Sequence, residues 1–161
     1  MEKPRNVFST ESLEDLTKIF SKNKVEYLII GKSGAIIYGF PDTTQDIDIF
    51  PKKSADNCKK IVASLKELGF HIDRQLEKAI VDGKDFIQIR GGPFDIDLIF
   101  APDGLESFDS AKTRSSLIET KYPAASIDDI IKSKKLASRQ KDKEVINRLE
   151  EFAKYLKHKR A

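Results

Sequence analysis

Tryptophan is missing from this chain of 161 residues, and cysteine and methionine occur once each. The single cysteine, Cys58, excludes a disulfide within the chain and predicts a reducing, cytoplasmic environment. Cys58 falls on an apolar helical stripe, so we expect it to pack in the core. The two histidines, His71 and His158, lie in no pattern that supplies a catalytic partner, so neither receives a catalytic role.

Long apolar stretches are missing as well. No run approaches the roughly 20 residues that a membrane-spanning helix requires, and the first residues lack the apolar segment of a signal peptide. We therefore expect no membrane partner. Hydrophobic residues make up 39% of the chain and charged residues 34%, a balance typical of folded domains. The length predicts a single domain over residues 1–161, with a sheet-containing core over 1–123 and C-terminal helices over 124–161.

Charge is distributed unevenly along the chain. The net charge is only +3, yet residues 132–161 contain eleven Lys and Arg against four Asp and Glu. The remainder of the chain is therefore acidic. This asymmetry suits a metal and nucleotide site beside a surface that binds a polyanion, although a solvated helix face explains the basic residues equally well.

Apolar periodicity predicts an α+β protein, in which a mixed sheet is flanked by helices and followed by a C-terminal helical segment. Residues 101–120 give no clear pattern, and we expect loop and short helix there. The predicted strands cover 25–30, 45–50, 70–73, 86–90 and 94–100, and the predicted helices cover 13–20, 35–38, 54–68, 126–134 and 145–156.

Two Asp-Ile-Asp triplets lie in predicted strands, at residues 46–48 and 95–97. Alternate side chains of a strand point to the same face, so each triplet places its two carboxylates on one face. If the strands are neighbours, three or four carboxylates converge and repel one another unless a cation neutralises them. Such hard oxygen ligands suit Mg²⁺. Either triplet alone is typical of any half-exposed strand, so the preceding segment decides between these readings.

The segment before the first triplet, residues 25–39, predicts a buried strand, a tight turn and a helix. Gly31 and Gly34 allow the turn backbone angles that other residues avoid. Ser33 lies near the helix start, where free amides favour the binding of anions. A phosphate-binding P-loop is excluded, because Glu26 stands where that motif requires glycine. The order of motifs therefore predicts a phosphate site beside a metal site.

This order of motifs resembles the nucleotidyltransferase superfamily, whose fold is that of DNA polymerase β and of minimal bacterial nucleotidyltransferases. The resemblance is strongest to the AbiEii-like branch, which includes toxin-type enzymes, and it extends to the helix at 126–134 and the block at 137–142. The signature positions are occupied by Gly31, Ser33, Asp46, Asp48 and Asp97, with Asp95 as the alternative third carboxylate.

The resemblance implies transfer of a nucleoside monophosphate from a nucleoside triphosphate to an acceptor hydroxyl, with Mg²⁺ or Mn²⁺ as cofactor and pyrophosphate as product. It implies tRNA or another RNA as acceptor, or else a small molecule or a protein, and an antitoxin as a partner. The implied catalytic and metal-binding residues are Asp46, Asp48 and Asp97. The nucleotide-binding residues are Gly31, Lys32, Ser33, Lys134 and Arg139, and Lys141 is a weaker candidate.

Two positions depart from the pattern of the branch. Lys32 replaces the usual second glycine, and Asp42 replaces the usual arginine. Both changes favour an alternative function, in which a catalytically degenerate module of the same fold binds a nucleotide or a protein partner without turnover. A third alternative is an RNA-binding protein that uses its basic tail; it predicts strongly salt-dependent binding and leaves the carboxylates unexplained.

Overall fold

The computed structural model describes residues 9–137 and 142–160. These residues form helices on both sides of a sheet. In chain order the elements are α1 (Thr10–Lys22), β1 (Tyr27–Ile30), α2 (Gly31–Ile37), β2 (Asp46–Pro51), α3 (Ala55–Glu67), α4 (Arg74–Val81), β3 (Phe86–Ile89), β4 (Asp95–Ile99), α5 (Phe108–Arg114), β5 (Ser116–Ile118), β6 (Tyr122–Ala124), α6 (Ile127–Ala137) and α7 (Lys143–Arg160).

The sheet is mixed, with the strand order β3-β4-β2-β1-β6-β5. β2 runs antiparallel to β1 and parallel to β4, which forms an antiparallel hairpin with β3. At the other side β6 runs parallel to β1 and antiparallel to β5. This architecture confirms the predicted α+β fold, and it places the two Asp-Ile-Asp strands side by side.

Each face of the sheet carries its own apolar core. On one face α1, α3 and α4 cover the strands, and Ile47 and Ile49 of β2 are buried there together with Cys58. The confirmed core position of Cys58 follows from the apolar stripe of α3. On the other face α5, α6 and α7 cover the middle of the sheet, where Phe50 packs edge-on against Phe108. Asp46 and Asp48 belong to this second face because they alternate with the isoleucines.

Predicted helix ends agree with the hydrogen bonds. The hydroxyl of Ser54 accepts a bond from the amide of Asn57 at 3.1 Å, and that of Ser126 accepts one from Asp129 at 3.0 Å. Such caps satisfy amides that lack a partner within the helix. α3 ends just before Gly69, whose φ of +99° suits glycine.

The predicted strand at 70–73 is wrong. These residues, which the structure describes, connect α3 to α4 and form no strand. Phe70 packs edge-on against Phe94, so its apolar character reflects a packed connection. Asp73 accepts a bond from the amide of Leu76 at 2.8 Å and caps α4, a helix that the sequence patterns did not predict.

Two further segments differ from the sequence-based expectation. The turn expected at 31–34 is the first turn of α2, which begins directly at the end of β1. Residues 101–120 contain α5 as expected but also β5, whose partner β6 was not predicted either. Both strands have three residues, too few for alternation to be recognisable. Within the described part of the chain, no helix combines the length and the apolar character needed to cross a membrane.

Candidate active site

The two Asp-Ile-Asp triplets meet at the parallel pairing of β2 and β4. Asp46 lies opposite Asp95, and Asp48 lies opposite Asp97. Asp46, Asp48 and Asp97 each offer a carboxylate oxygen, and these atoms lie within 4.8 Å of one another. The predicted convergence of carboxylates from neighbouring strands is therefore present, and within the described residues the close group contains Asp97 rather than Asp95.

This donor set fits a hard divalent cation. Carboxylate oxygens are the ligands that Mg²⁺ and Mn²⁺ prefer. Oδ1 of Asp97 is buried, and its charged neighbour is Nη2 of Arg90 at 2.9 Å. Buried carboxylates are costly unless cations compensate their charge. The residues present therefore suit a metal ion, although their chemistry does not distinguish Mg²⁺ from Mn²⁺.

The environment of Asp48 favours its protonated form. Burial, helped by the charges of Asp97 and Asp46, raises the pKa of Asp48 to about 8, and the charge of Lys134 acts in the opposite direction. Burial also raises the pKa of Asp97, while the guanidinium of Arg90 opposes that rise. Without a bound cation, Asp48 therefore carries a proton at neutral pH, and a cation must displace this proton in order to bind.

A pH dependence follows from this raised pKa. Between roughly pH 4 and 8 the folded protein holds a proton on Asp48 that the unfolded chain has lost. We therefore expect the free energy of unfolding of the cation-free protein to fall as pH rises through this range and to level off above it. Affinity for Mg²⁺ should rise over the same range, by up to about tenfold per pH unit.

Chemical denaturation in a chelator at several pH values, followed by Mg²⁺ titration calorimetry, measures both effects. The matched variant is Asp48→Asn, which carries no titrating carboxyl at this position. It should reduce the decline in stability between pH 5 and 8. An identical decline in the variant and the parent would show that Asp48 does not hold the proton.

The first turn of α2 positions Asp48. Gly31 has a φ of +63°, and Oδ2 of Asp48 lies where a Cβ atom on Gly31 would stand. The buried hydroxyl of Ser33 donates to the carbonyl of Ile30 at 2.9 Å and accepts from the amide of Asp48 at 3.0 Å. The glycine and serine expected to contact phosphate thus hold the carboxylate strand against α2. A phosphate contact of Ser33 stays a prediction.

A cavity of about 500 Å³ opens beside Asp48. Its volume is in the range typical of small-ligand sites. Gly31 and Lys32 line it on one side, and Lys134 lines it from α6. Nζ of Lys134 also lies 3.5 Å from Oδ1 of Asp142. Two predicted nucleotide-binding lysines therefore share one cavity with Asp48. Arg139 and Lys141 lie outside the described residues.

The two departures from the family pattern contact each other. Nζ of Lys32 lies 3.4 Å from Oδ2 of Asp42, and Nη2 of Arg148 in α7 lies 2.9 Å from the same oxygen. A hydrogen bond from the Thr43 amide is the largest cause that lowers the pKa of Asp42, and Arg148 and Lys32 add to it. Asp42 thus holds a lysine at the edge of the cavity and connects that edge to the last helix.

Arg90 is a site residue that the sequence patterns did not single out. Its Nη2 lies 2.9 Å from Oδ1 of Asp97 and 3.4 Å from Oδ1 of Asp46, and its Nε lies 3.8 Å from Oδ2 of Asp95. The signal was present in the predicted strand at 86–90. Gln88 lies opposite Asp97, and strand alternation places Arg90 on the same face, two residues further along.

Comparison with solved structures finds a protein from Thermotoga maritima that bears the provisional name of nucleotidyltransferase. It is 14% identical to this chain, the match covers 92% of each chain, and the TM-score is 0.54. At this identity the likeness shows the fold alone, and the predicted nucleotidyltransferase fold is confirmed. No family profile and no curated protein matches the chain.

Proposed function

We propose that this protein transfers a nucleoside monophosphate from a nucleoside triphosphate to an acceptor hydroxyl, with Mg²⁺ or Mn²⁺ as cofactor and pyrophosphate as product. The observation that carries the proposal is the meeting of three carboxylate oxygens within 4.8 Å beside a cavity that contains two lysines. The neighbour that shares the fold bears the provisional name of nucleotidyltransferase, which supports this reaction class by analogy of fold. Lys32 and Asp42, the two departures from the pattern, lie 3.4 Å apart and offset each other's charge.

Asp46, Asp48 and Asp97 would hold the cation. A divalent cation bound there supplies positive charge that offsets the charge of the triphosphate as the acceptor oxygen bonds to the α-phosphorus and the bond to pyrophosphate breaks. Lys32 and Lys134 line the cavity and would bind the outer phosphates as point charges. Alternatively to holding the cation, Asp97 would accept the proton of the acceptor hydroxyl.

Calorimetric titration with each nucleoside triphosphate, in the presence and absence of Mg²⁺, tests the site. We expect binding that requires Mg²⁺ and that weakens by about tenfold in Lys134→Ala, because one charge-assisted phosphate contact is lost. Lys135→Ala is the control, since Lys135 is the neighbouring lysine and pairs with Glu150. Equal affinity in the presence and absence of the metal would contradict the proposed site.

Transfer itself is measured with triphosphates labelled at the α-phosphate, offered together with total RNA or with small acceptors. Appearance of label in an acceptor, with release of pyrophosphate, supports an enzyme. Metal-dependent binding of triphosphate without transfer to any acceptor would favour the degenerate binding module instead.

RNA, with tRNA as one case, is the acceptor that we propose. Residues 132–161 are rich in Lys and Arg, and a basic surface suits a polyanion. If the label appeared in small molecules or in proteins instead of RNA, they would replace RNA as the proposed acceptor. Membership of the AbiEii-like branch and an antitoxin partner are further proposals, and a neighbouring gene that suppresses the toxicity of this protein would support both.

A further inference from the structure

Arg90 lies among the carboxylates of the candidate active site, and the proposed reaction gives it no role. Its guanidinium is within 2.9 to 3.8 Å of oxygens on Asp97, Asp46 and Asp95. Asp46 and Asp97 also belong to the group of three carboxylates that fits a metal ion. The guanidinium and a divalent cation would therefore contact the same two carboxylates, those of Asp46 and Asp97.

Arg90 contacts both backbone and carboxylate oxygens in this position. Its Nη1 donates to the backbone carbonyls of Ile96, at 3.2 Å, and Ile89, at 3.3 Å, and its Nη2 lies 2.9 Å from Oδ1 of Asp97. Its side chain is 38% exposed. The side chain of Arg114 is similarly exposed, at 45%, and its Nε donates a hydrogen bond of 2.8 Å to the buried carboxylate of Asp129. The exposed part of the Arg90 side chain gives its guanidinium a path to solvent.

The negative charge of the surrounding aspartates favours the position of Arg90. Four aspartates face one another across β2 and β4, and like charges at such separations destabilise the folded state. The guanidinium of Arg90 partly neutralises them, and it opposes the rise in the pKa of Asp97. The same positive charge repels any divalent cation that enters the group, by an amount that corresponds to about tenfold in affinity at a separation near 5 Å in a water-like medium.

We propose that Arg90 is the resident counter-ion of the acidic centre and that it competes with the divalent cation, so that it sets how tightly the centre binds metal. The inference rests on the proposed function in one respect, because it takes the carboxylates to be a metal centre. In this arrangement Arg90 stabilises the empty centre and must withdraw when the centre is filled.

The test measures metal affinity rather than activity. Arg90→Met keeps the length of the side chain and removes its charge. We expect it to bind Mg²⁺ and Mn²⁺ about tenfold more tightly than the parent by titration calorimetry, and to gain more thermal stability from either metal. Arg90→Lys keeps the charge and should bind within about threefold of the parent. Arg114→Met, which removes a comparable pair with a buried aspartate, should leave metal affinity unchanged.

Equal or weaker metal affinity in Arg90→Met would overturn the inference while leaving the metal centre in place. Absence of metal binding in the parent, at millimolar Mn²⁺, would overturn the metal centre and with it the proposed function. If Arg90→Met does not fold, the parent protein still decides the matter. The side-chain Nε–H signal of Arg90, followed by NMR during Mg²⁺ titration, should shift as the guanidinium leaves, and an unmoved signal at saturation would overturn the inference.

Discussion

Asp48→Asn is expected to lower kcat/KM for nucleotidyl transfer by at least about a thousandfold, since a metal ligand worth several kcal/mol in the transition state is lost. The fold should persist. The amide is nearly isosteric with the carboxyl, and the backbone amide of residue 48 still donates to Ser33. The neutral side chain also removes a group whose ionisation burial opposes. Steady-state kinetics, together with thermal denaturation in a chelator, measure the two effects separately.

Companion variants make this result specific. Asp128→Asn removes an exposed carboxylate that pairs with Lys157 outside the site, and activity should stay within about twofold. Asp97→Asn should lose more activity than Asp95→Asn, because Asp97 belongs to the group of close carboxylates. Normal turnover in Asp48→Asn would remove the metal assignment. A larger loss in Asp95→Asn than in Asp97→Asn would exchange the roles of these two residues.

Gly31→Ala is expected to disrupt the site, although Gly31 itself has no side chain that takes part in binding or catalysis. A Cβ atom there would collide with Oδ2 of Asp48, and the φ of +63° is unfavourable for alanine. We expect a loss of about 1–3 kcal/mol in the free energy of unfolding. We also expect a fall of at least about a hundredfold in kcat/KM, because a carboxylate displaced by an ångström no longer meets its neighbours.

Gly91→Ala is the matched control for strain. Gly91 has a φ of +79°, but apart from its two chain neighbours no atom of the described residues lies within 4 Å of the position that its Cβ would take. This variant should therefore lose stability through the backbone alone and keep its metal affinity. If both variants lost stability equally and Gly31→Ala retained metal binding, Asp48 would not depend on the space that Gly31 leaves.

The convergence of the carboxylates could be predicted because strand alternation has a period of two residues. Once two Asp-Ile-Asp strands are neighbours, the shared face of Asp46, Asp48 and Asp97 follows without knowledge of any side-chain conformation. That the two strands are neighbours did not follow from alternation. It came from the resemblance, and the pairing of β2 with β4 confirms it.

Other features depend on contacts that no local pattern records. The hydroxyl of Ser33 bonds to Ile30 of β1 and to Asp48 of β2, so both bonds form only when these two strands meet at the start of α2. The pairing of Lys32 with Asp42 joins a helix to a loop, and Arg148 reaches this pair from more than a hundred residues away in sequence. α4 escaped prediction because its eight residues are too few for clear periodicity beside an apolar connection.

The two ion pairs of Asp42 have a consequence for communication within the molecule. They join the last helix, through Arg148, to a lysine that lines the cavity beside Asp48. A macromolecule that drew Arg148 away would leave Lys32 as the remaining cation on Oδ2 of Asp42 and so strengthen that pair. By reciprocity, a ligand that captured Lys32 would strengthen the pair between Arg148 and Asp42. We therefore expect ligands of Arg148 and ligands of Lys32 to weaken each other's binding.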